Sequence, residues 1–104
     1  MGTPGYIAPE QMTTHGPNPA SDQYALGVML FELATGCLPF ESDDPMQTLF
    51  MHIQEPPPVP STIKKELPIE FDQLVLKMLA KTPEERFESV EEARKALSRL
   101  KDSM

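Results

Sequence analysis

The sequence has few of the residues on which several classes of protein depend. It contains one cysteine, Cys37, no tryptophan, and only 7% aromatic residues. A single cysteine cannot form an intrachain disulfide, which fits a reducing compartment, so we expect a cytoplasmic protein. The only histidines, His15 and His52, have no cysteine or histidine at metal-ligand spacing. The sequence therefore predicts no metal site.

Positive charge and long apolar runs are also scarce. The nine Lys and Arg residues stand against 16 Asp and Glu, for a net charge of −7. Nucleic acids and anionic membranes require a basic face, so neither is an expected partner. The longest apolar stretch, residues 24–34, contains Glu32 and falls short of the ~18–20 residues that span a bilayer. The opening Gly-Thr-Pro-Gly does not resemble a secretory signal. A chain of 104 residues with 39% hydrophobic content predicts at most one compact domain.

Apolar periodicity predicts an all-α fold with four main helices and long loops. Ser21 or Asp22 can cap the first helix, and Gly36 stands where a C-terminal cap belongs. This helix is apolar on nearly every face, so we expect protein around it. Asp44 and Pro45 begin a second helix. That helix carries one apolar stripe, formed by Met46, Leu49, Phe50 and Ile53.

The second half of the chain predicts two more helices after a proline-rich connector. Residues 56–60 contain four prolines, which end the second helix and predict a rigid, extended segment. Apolar spacing over residues 71–79 marks the third helix. Thr82 to Glu85 and Ser89 with Glu92 both read as capping boxes. The last helix buries a stripe from Val90 to Leu100, and no pattern of period two predicts a strand.

Four motifs occur in the order and with the spacing of one known family. The segment 2–10, GTPGYIAPE, resembles the end of a protein kinase activation segment, with Ala8-Pro9-Glu10 as its A-P-E motif. Residues 21–27 resemble the start of the buried helix that follows the A-P-E motif in kinases. Residues 38–40 resemble the loop after that helix, and residues 81–87 resemble the late arginine motif of the family. The chain is thus similar over nearly its whole length to the C-terminal lobe of bacterial serine/threonine kinases of the eukaryotic-like type. Residues 1–19 correspond to the end of the activation segment and the A-P-E region, and residues 20–104 to a helical subdomain.

The resemblance implies a substrate-binding role for the N-terminal segment. Gly2, Thr3, Pro4, Gly5 and Tyr6 correspond to the segment that contacts the protein substrate. In the family, the threonine at the position of Thr3 bonds the catalytic aspartate and lysine, and Pro4 to Tyr6 form the pocket for the residue after the phosphoacceptor. Without the resemblance, the same tetrapeptide is an ordinary Gly-Pro turn.

The resemblance also implies structural roles for three charged residues. Glu10 and Arg86 correspond to a buried ion pair that ties the activation segment to the base of the lobe. A guanidinium can hold a carboxylate through two parallel hydrogen bonds, which lysine cannot do. The alternative is two unrelated surface charges. Asp22 corresponds to the aspartate that holds the catalytic loop; in this chain it can act only as a helix cap, because that loop is absent.

The motifs that perform phosphoryl transfer are missing from the sequence. It has no G-x-G-x-x-G, no H-R-D and no D-F-G, so no catalytic or cofactor-binding residue is predicted. ATP and magnesium are therefore expected in an intact parent kinase and not in this chain. A truncated gene, a late start codon and a split pseudogene would all give such a sequence.

Three hypotheses follow. On the first hypothesis, the chain is a kinase fragment that is inactive alone and contacts a protein substrate within the intact parent kinase. On the second, it is a non-catalytic module that docks proteins through residues 46–53 and 3–6. On the third, it is a plain helical domain that matches the kinase motifs by chance. On the first, the helix over residues 22–35 lacks its earlier neighbours. We then expect an exposed apolar side and a chain that aggregates or depends on a partner.

Overall fold

All regular elements in the described part of the chain are helical. The computed structural model describes residues 6–12 and 19–103. Five α-helices follow one another: α1 (Pro19–Thr35), α2 (Pro45–Gln54), α3 (Pro60–Ile63), α4 (Ile69–Met78) and α5 (Val90–Ser103). Short 3-10 turns lie at Pro9–Met12 and Pro83–Glu85. The predicted all-α class is confirmed, and α3 adds one short helix to the four predicted.

The central helix α1 begins earlier than its capping residues suggested. It starts at Pro19, so Ser21 and Asp22 lie in its first turn, and the prediction that either residue caps the helix is wrong. Proline suits this start because its fixed φ is helical and its missing N–H needs no partner there. The predicted end is confirmed. Gly36 has a φ of +85°, and its N–H donates to the Glu32 carbonyl oxygen over 2.8 Å.

Helix α2 begins as predicted but presents its apolar stripe outwards. The Asp44 carboxylate accepts a hydrogen bond from the Met46 N–H over 3.0 Å, and Pro45 is the first helical residue. The residues that α2 buries are Thr48 and His52. Its exposed residues include most of the predicted stripe, namely Met46, Phe50 and Ile53. An apolar stripe usually faces the core, but in α2 it faces outwards.

The prediction for the proline-rich connector requires correction. The proline-rich segment is extended only as far as Val59, because α3 starts at Pro60. Asp72 of α4 holds α3 in place, since its carboxylate accepts from the Ser61 N–H at 2.9 Å and the Ser61 hydroxyl at 2.6 Å.

The capping box predicted at Thr82 is wrong. The Thr82 hydroxyl donates to the Glu85 carboxylate, and the segment makes a single 3-10 turn without a side-chain cap. Of the capping box predicted at Ser89 and Glu92, the serine half is confirmed, because the Ser89 hydroxyl accepts from the Glu92 N–H over 3.1 Å.

The core lies between α1, α4 and α5. One buried cluster joins α1 to α4 and to Ala8, and a second joins α4 to α5. The members of the first are Ala8, Tyr24, Val28, Phe31, Val75 and Leu79, and those of the second are Leu74, Met78, Ala93 and Leu100. The other helices cover only part of α1, since Leu33 is 81% exposed and Met29 48%. Within the described residues, no helix is both long and apolar enough to cross a bilayer.

Helices α1 and α4 approach closely at Gly27. A Cβ added there would lie 2.9 Å from the Met78 Cβ and 3.2 Å from the Leu79 Cδ2. Atoms this close must separate, so a side chain at position 27 would push the two helices apart. Glycine at position 27 is therefore required by packing, despite its low helix propensity.

We predict that Gly27→Ala lowers the free energy of unfolding by about 1–3 kcal/mol, the typical range for an overpacked core. The sign is diagnostic, because alanine in an uncrowded helix would instead stabilise by about 1 kcal/mol. Urea denaturation followed by circular dichroism measures the change. Ser98→Ala, on the exposed side of α5, is the control and should change stability by less than about 0.5 kcal/mol. A stabilised Gly27→Ala variant would contradict the close approach.

Candidate functional site

The structure brings Glu10 and Arg86 together across 76 positions of sequence. Two hydrogen bonds of 2.8 Å, from Nη1 to Oε2 and from Nη2 to Oε1, make a bidentate pair. The Arg86 side chain is 0% exposed and that of Glu10 13%. This is the parallel geometry in which arginine holds a carboxylate most strongly.

Arg86 also binds two backbone carbonyls, which places it at the meeting point of three segments. Its Nε donates to the Ala80 carbonyl, just after α4, and Nη1 donates to the Ala20 carbonyl at the start of α1, each over 2.9 Å. The turn at Glu10, the start of α1 and the end of α4 are thus joined by one side chain. A lysine could not reproduce this set of directed bonds.

The Glu10 carboxylate is held in its charged form. Burial opposes ionisation, but hydrogen bonds from Arg86 and Ser21 outweigh it and lower the pKa of Glu10. The Ser21 hydroxyl donates to Oε2 over 2.7 Å. Because the pKa is lowered on folding, the stabilisation is present above the ordinary carboxyl pKa and is lost as the pH falls through the lowered value.

A second set of contacts fixes the loop that carries Arg86. The Gln23 amide donates to the Phe87 carbonyl over 3.1 Å and accepts from the Phe87 N–H over 3.0 Å. Gln23 is buried on α1. Sequence analysis did not single out Gln23, although an amide within an otherwise apolar helix is a signal of such pairing.

The segment predicted to bind substrate lies largely outside the described residues. Gly2, Thr3, Pro4 and Gly5 are not described; Tyr6 is. The Tyr6 hydroxyl donates a hydrogen bond to Glu32 of α1, and this bond is the main cause of the raised pKa of Tyr6. The Tyr6 side chain also packs against the cluster that contains Phe31. Tyr6 is therefore anchored to the C-terminal part of α1.

Asp22 is exposed in the first turn of α1. A carboxylate in a first turn interacts favourably with the partial positive charge of the helix N-terminus. The structure therefore does not bring Asp22 into the group around Glu10 and Arg86.

Tyr24 connects the arginine site to α2. The Arg86 guanidinium lies 4.9 Å from the centroid of the Tyr24 ring, and the Tyr24 hydroxyl lies 2.6 Å from Nδ1 of His52. Phe40, from the segment 38–40, packs edge-on against the imidazole with the ring centroids 4.9 Å apart. Sequence analysis treated His52 as isolated, because Tyr24 and Phe40 are distant from it in sequence.

Lys81, in the loop between α4 and α5, binds the C-terminal end of α2. Its Nζ donates to the carbonyls of His52 and Met51, at 2.8 and 3.3 Å, and lies 4.4 Å from the centroid of the Phe40 ring. Partial burial lowers the pKa of Lys81 to about 8. A cation at the C-terminus of a helix interacts favourably with the carbonyls of its last turn.

These contacts make a framework that sets the position of three chain segments. The described residues contain no group of three or more His, Cys, Asp or Glu side chains able to hold a metal ion. The contacts of the site therefore hold the segment around Glu10, α1 and α2 in fixed positions relative to one another.

Comparison with known proteins agrees with this framework. A model of the protein kinase domain matches residues 1–98. The chain belongs to the protein kinase family. It is 46% identical over 94 residues to the serine/threonine-protein kinase PksC of Streptomyces coelicolor, and 40% over 97 residues to Pkn1 of Myxococcus xanthus. It is 39% identical over 100 residues to PknB of Mycobacterium tuberculosis.

The match covers most of this chain and a small part of each relative. The aligned segments cover 90%, 93% and 96% of the chain, and 17%, 14% and 16% of PksC, Pkn1 and PknB. The resemblance to bacterial serine/threonine kinases drawn from the motifs is confirmed. The chain corresponds to one segment of a kinase domain.

We predict that Arg86→Ala lowers the free energy of unfolding by about 3–5 kcal/mol, because it leaves the Glu10 carboxylate buried without its cation. Arg86→Lys should recover only part of the loss, since it keeps the charge without the bidentate bonds. A double-mutant cycle of Arg86→Ala with Glu10→Gln, measured by urea denaturation, should show coupling of about 1 kcal/mol or more.

The exposed pair Arg94 and Glu91, 3.5 Å apart with side chains 68% and 63% exposed, is the matched control. Arg94→Ala should change stability by less than about 1 kcal/mol. Equal effects of the two arginine substitutions, or no coupling between Arg86 and Glu10, would contradict the assigned importance of the buried pair.

Proposed function

We propose that this chain forms the substrate-side part of the C-terminal lobe of a protein kinase that transfers phosphate from ATP to serine or threonine of proteins. The observation that carries the proposal is the bidentate Glu10–Arg86 pair, which joins the A-P-E segment to the helical core at 2.8 Å. The family match over residues 1–98 supports it. The 104 residues alone do not catalyse the transfer.

The contacts of Tyr6 and Glu10 support a role in presenting the substrate. Thr3, Pro4 and Gly5 immediately precede Tyr6, whose hydroxyl and ring are both held by α1. Glu10 fixes the chain four residues later. A segment anchored in this way loses little conformational freedom when a substrate binds, which favours correct orientation.

We assign the binding of ATP and magnesium to other parts of a kinase domain. The described residues offer no cluster of metal-binding side chains, and the sequence lacks the glycine-rich loop, the H-R-D and the D-F-G motifs. Nucleotide contacts are therefore assigned to the parts of a kinase domain that this segment does not represent. Asp22, exposed at the start of α1, is positioned to accept backbone hydrogen bonds from such a part.

The exposed face of α1 supports the same assignment. Leu33 is 81% exposed on a helix that is otherwise the centre of the core. Burying one such side chain contributes about 1.5–3 kcal/mol. We therefore assign the surface around Met29 and Leu33 to packing against the rest of the kinase lobe.

A chimeric kinase tests the proposal. The corresponding segment of PknB is replaced by this chain, and transfer of labelled phosphate from Mg-ATP to a generic basic protein is measured. We expect activity in the chimera, and none in the 104-residue chain. Arg86→Ala and Leu33→Glu should each reduce the chimera's activity about tenfold or more, because a misplacement of about 1 Å costs as much as 10²-fold.

Arg94→Ala is the control in the chimera and should leave activity unchanged. Circular dichroism and size-exclusion chromatography of each variant separate loss of folding from loss of activity. A folded but inactive chimera would contradict the proposed role. Micromolar binding of Mg-ATP to the isolated chain, measured by calorimetry, would contradict its assigned inactivity.

A second candidate function is docking of a protein partner on α2. The apolar stripe of Met46, Phe50 and Ile53 is exposed, while the polar side of the helix faces the core. Such an arrangement suits a partner with a hydrophobic groove that accepts one face of a helix. If the chain acts within a kinase, this partner is a protein substrate. If it acts without catalysis, the same surface binds a partner of a non-catalytic module.

Phe50→Ser in the chimera distinguishes docking from catalysis. We expect a severalfold rise in KM for a folded protein substrate, with kcat and the KM of a short peptide substrate unchanged, because only a folded substrate reaches α2. Gln47→Ser, an exposed polar position on α2, is the matched control. Equal changes for the protein and the peptide, or no change for either, would contradict docking at this stripe.

A further inference from the structure

The connector between α2 and α3 has the backbone of a polyproline II helix. Residues 56–59 lie in no regular secondary structure. A proline ring fixes φ at about −65°, and a residue that precedes a proline is confined to extended ψ values. Both restrictions act on Pro56 and Pro57, and Val59, which precedes Pro60, has φ −77° and ψ 122°. The segment is therefore a left-handed helix with about three residues per turn.

The burial of the connector follows this period of three. Pro60 is fully buried and Pro57 is partly buried, so the face that they share lies against the protein. Pro56 and Val59, on the second face, are both exposed, and so is Pro58 on the third. Two of the three faces of the polyproline II helix are therefore open to solvent.

Both ends of the connector are fixed. The Glu55 N–H donates to the Met51 carbonyl oxygen at the end of α2 over 2.9 Å. At the other end, the Asp72 carboxylate holds Ser61 of α3, and α3 lies against α1 and α4. A segment that is already extended and held at both ends loses little conformational freedom when a partner binds.

The three consecutive prolines offer hydrogen-bond acceptors and no donors. Proline lacks the backbone N–H, so residues 56–58 cannot form the ladder of an added β-strand. Among the described residues, no hydrogen bond reaches the carbonyl oxygens of Pro56, Pro57 and Pro58. A partner for this segment must therefore supply the donors.

Aromatic side chains with a polar tip meet these requirements. Tryptophan and tyrosine rings pack against proline in the grooves that bind polyproline II segments. The tryptophan N–H and the tyrosine hydroxyl can both donate to the open carbonyls. We propose that residues 55–59 bind a partner protein whose groove is formed by a tryptophan and a tyrosine ring. This binding does not require that the chain takes part in catalysis.

The geometry of the connector selects the kind of groove. Residues 55–59 span only about 12 Å, at about 3.1 Å per residue, which is enough for one proline-binding groove. The only prolines of the connector that are three positions apart are Pro57 and Pro60, and their shared face lies against the protein. A module that requires P-x-x-P, such as an SH3 domain, is therefore excluded. A module that accepts consecutive prolines, such as a WW domain, fits.

Titration of a WW domain that accepts consecutive prolines with the 104-residue chain tests the proposal. The chain has no tryptophan, so tryptophan fluorescence reports the groove of the WW domain alone. We expect a saturable change with its midpoint below about 1 mM. An SH3 domain that requires P-x-x-P should not bind. No saturable change with the WW domain would overturn the proposal, and equal binding of the SH3 domain would overturn the assignment of the faces.

Substitution of the outward prolines locates the binding surface. Pro56→Ala and Pro58→Ala should each weaken binding of the WW domain about tenfold, because each removes a ring from an outward face. Pro45→Ala is the matched control, since Pro45 is also exposed but begins α2, and it should leave binding unchanged. Circular dichroism shows whether each variant is folded. Unchanged binding in both connector variants, or an equal loss in Pro45→Ala, would overturn the proposal.

Amide NMR of the unsubstituted chain gives a second test that does not depend on a variant. Within residues 55–59, only Glu55 and Val59 have a backbone N–H, and the largest shifts on addition of the WW domain should fall on them. Phe50→Ser alters the α2 stripe and should leave this binding unchanged. Largest shifts at Met46 and Phe50, or loss of binding in Phe50→Ser, would place the WW domain on α2 and overturn the proposal.

Discussion

The Arg86 guanidinium is fully buried, so its charge and its donors must be satisfied within the protein. Glu10 supplies the opposite charge, and the carbonyls of Ala20 and Ala80 accept two further bonds. Glu10 and Ala20 are 76 and 66 positions from Arg86, whereas Ala80 lies six residues before it. Displacing any of them leaves a buried cation partly unpaired, which costs several kcal/mol. The relative placement of the Glu10 turn, α1 and α4 is therefore strongly constrained.

That constraint extends to α2 through Tyr24. Its ring lies under the Arg86 guanidinium and its hydroxyl meets His52, so the placement of α1 also decides where α2 docks. Lys81, five residues before Arg86, holds the last carbonyls of the same helix. The segment 81–86 thus contributes to both ends of the framework. Helix α2 also lies directly against the turn Pro9–Met12, which carries Glu10, so the positions of the two are linked by contact as well as through Arg86 and Tyr24.

Local signals predicted most helices and some of their ends, and family resemblance predicted the buried pair. Gly36 and Asp44 could be recognised because their cap chemistry depends on neighbouring residues alone. Nothing in periodicity joins Glu10 to Arg86, since the pairing requires the whole fold. The outward orientation of α2 was not predictable either. An amphipathic pattern identifies two faces but not which one the rest of the protein covers. The burial of His52 depends on Tyr24 and Phe40, which only the tertiary structure brings near.

The two exposed apolar surfaces differ in a way that separates their roles. Leu33 lies with Met29 on α1, the helix that contributes Tyr24, Val28 and Phe31 to the core, so covering Leu33 completes a helix that belongs inside a core. Such a surface suits permanent packing against the same polypeptide. Phe50 lies on α2, whose opposite side is anchored by a histidine and a lysine-bound carbonyl. A helix fixed by directed polar contacts keeps its place without help from its apolar stripe. The apolar stripe is consequently not needed to hold α2 in place, which supports the proposed docking of a partner there.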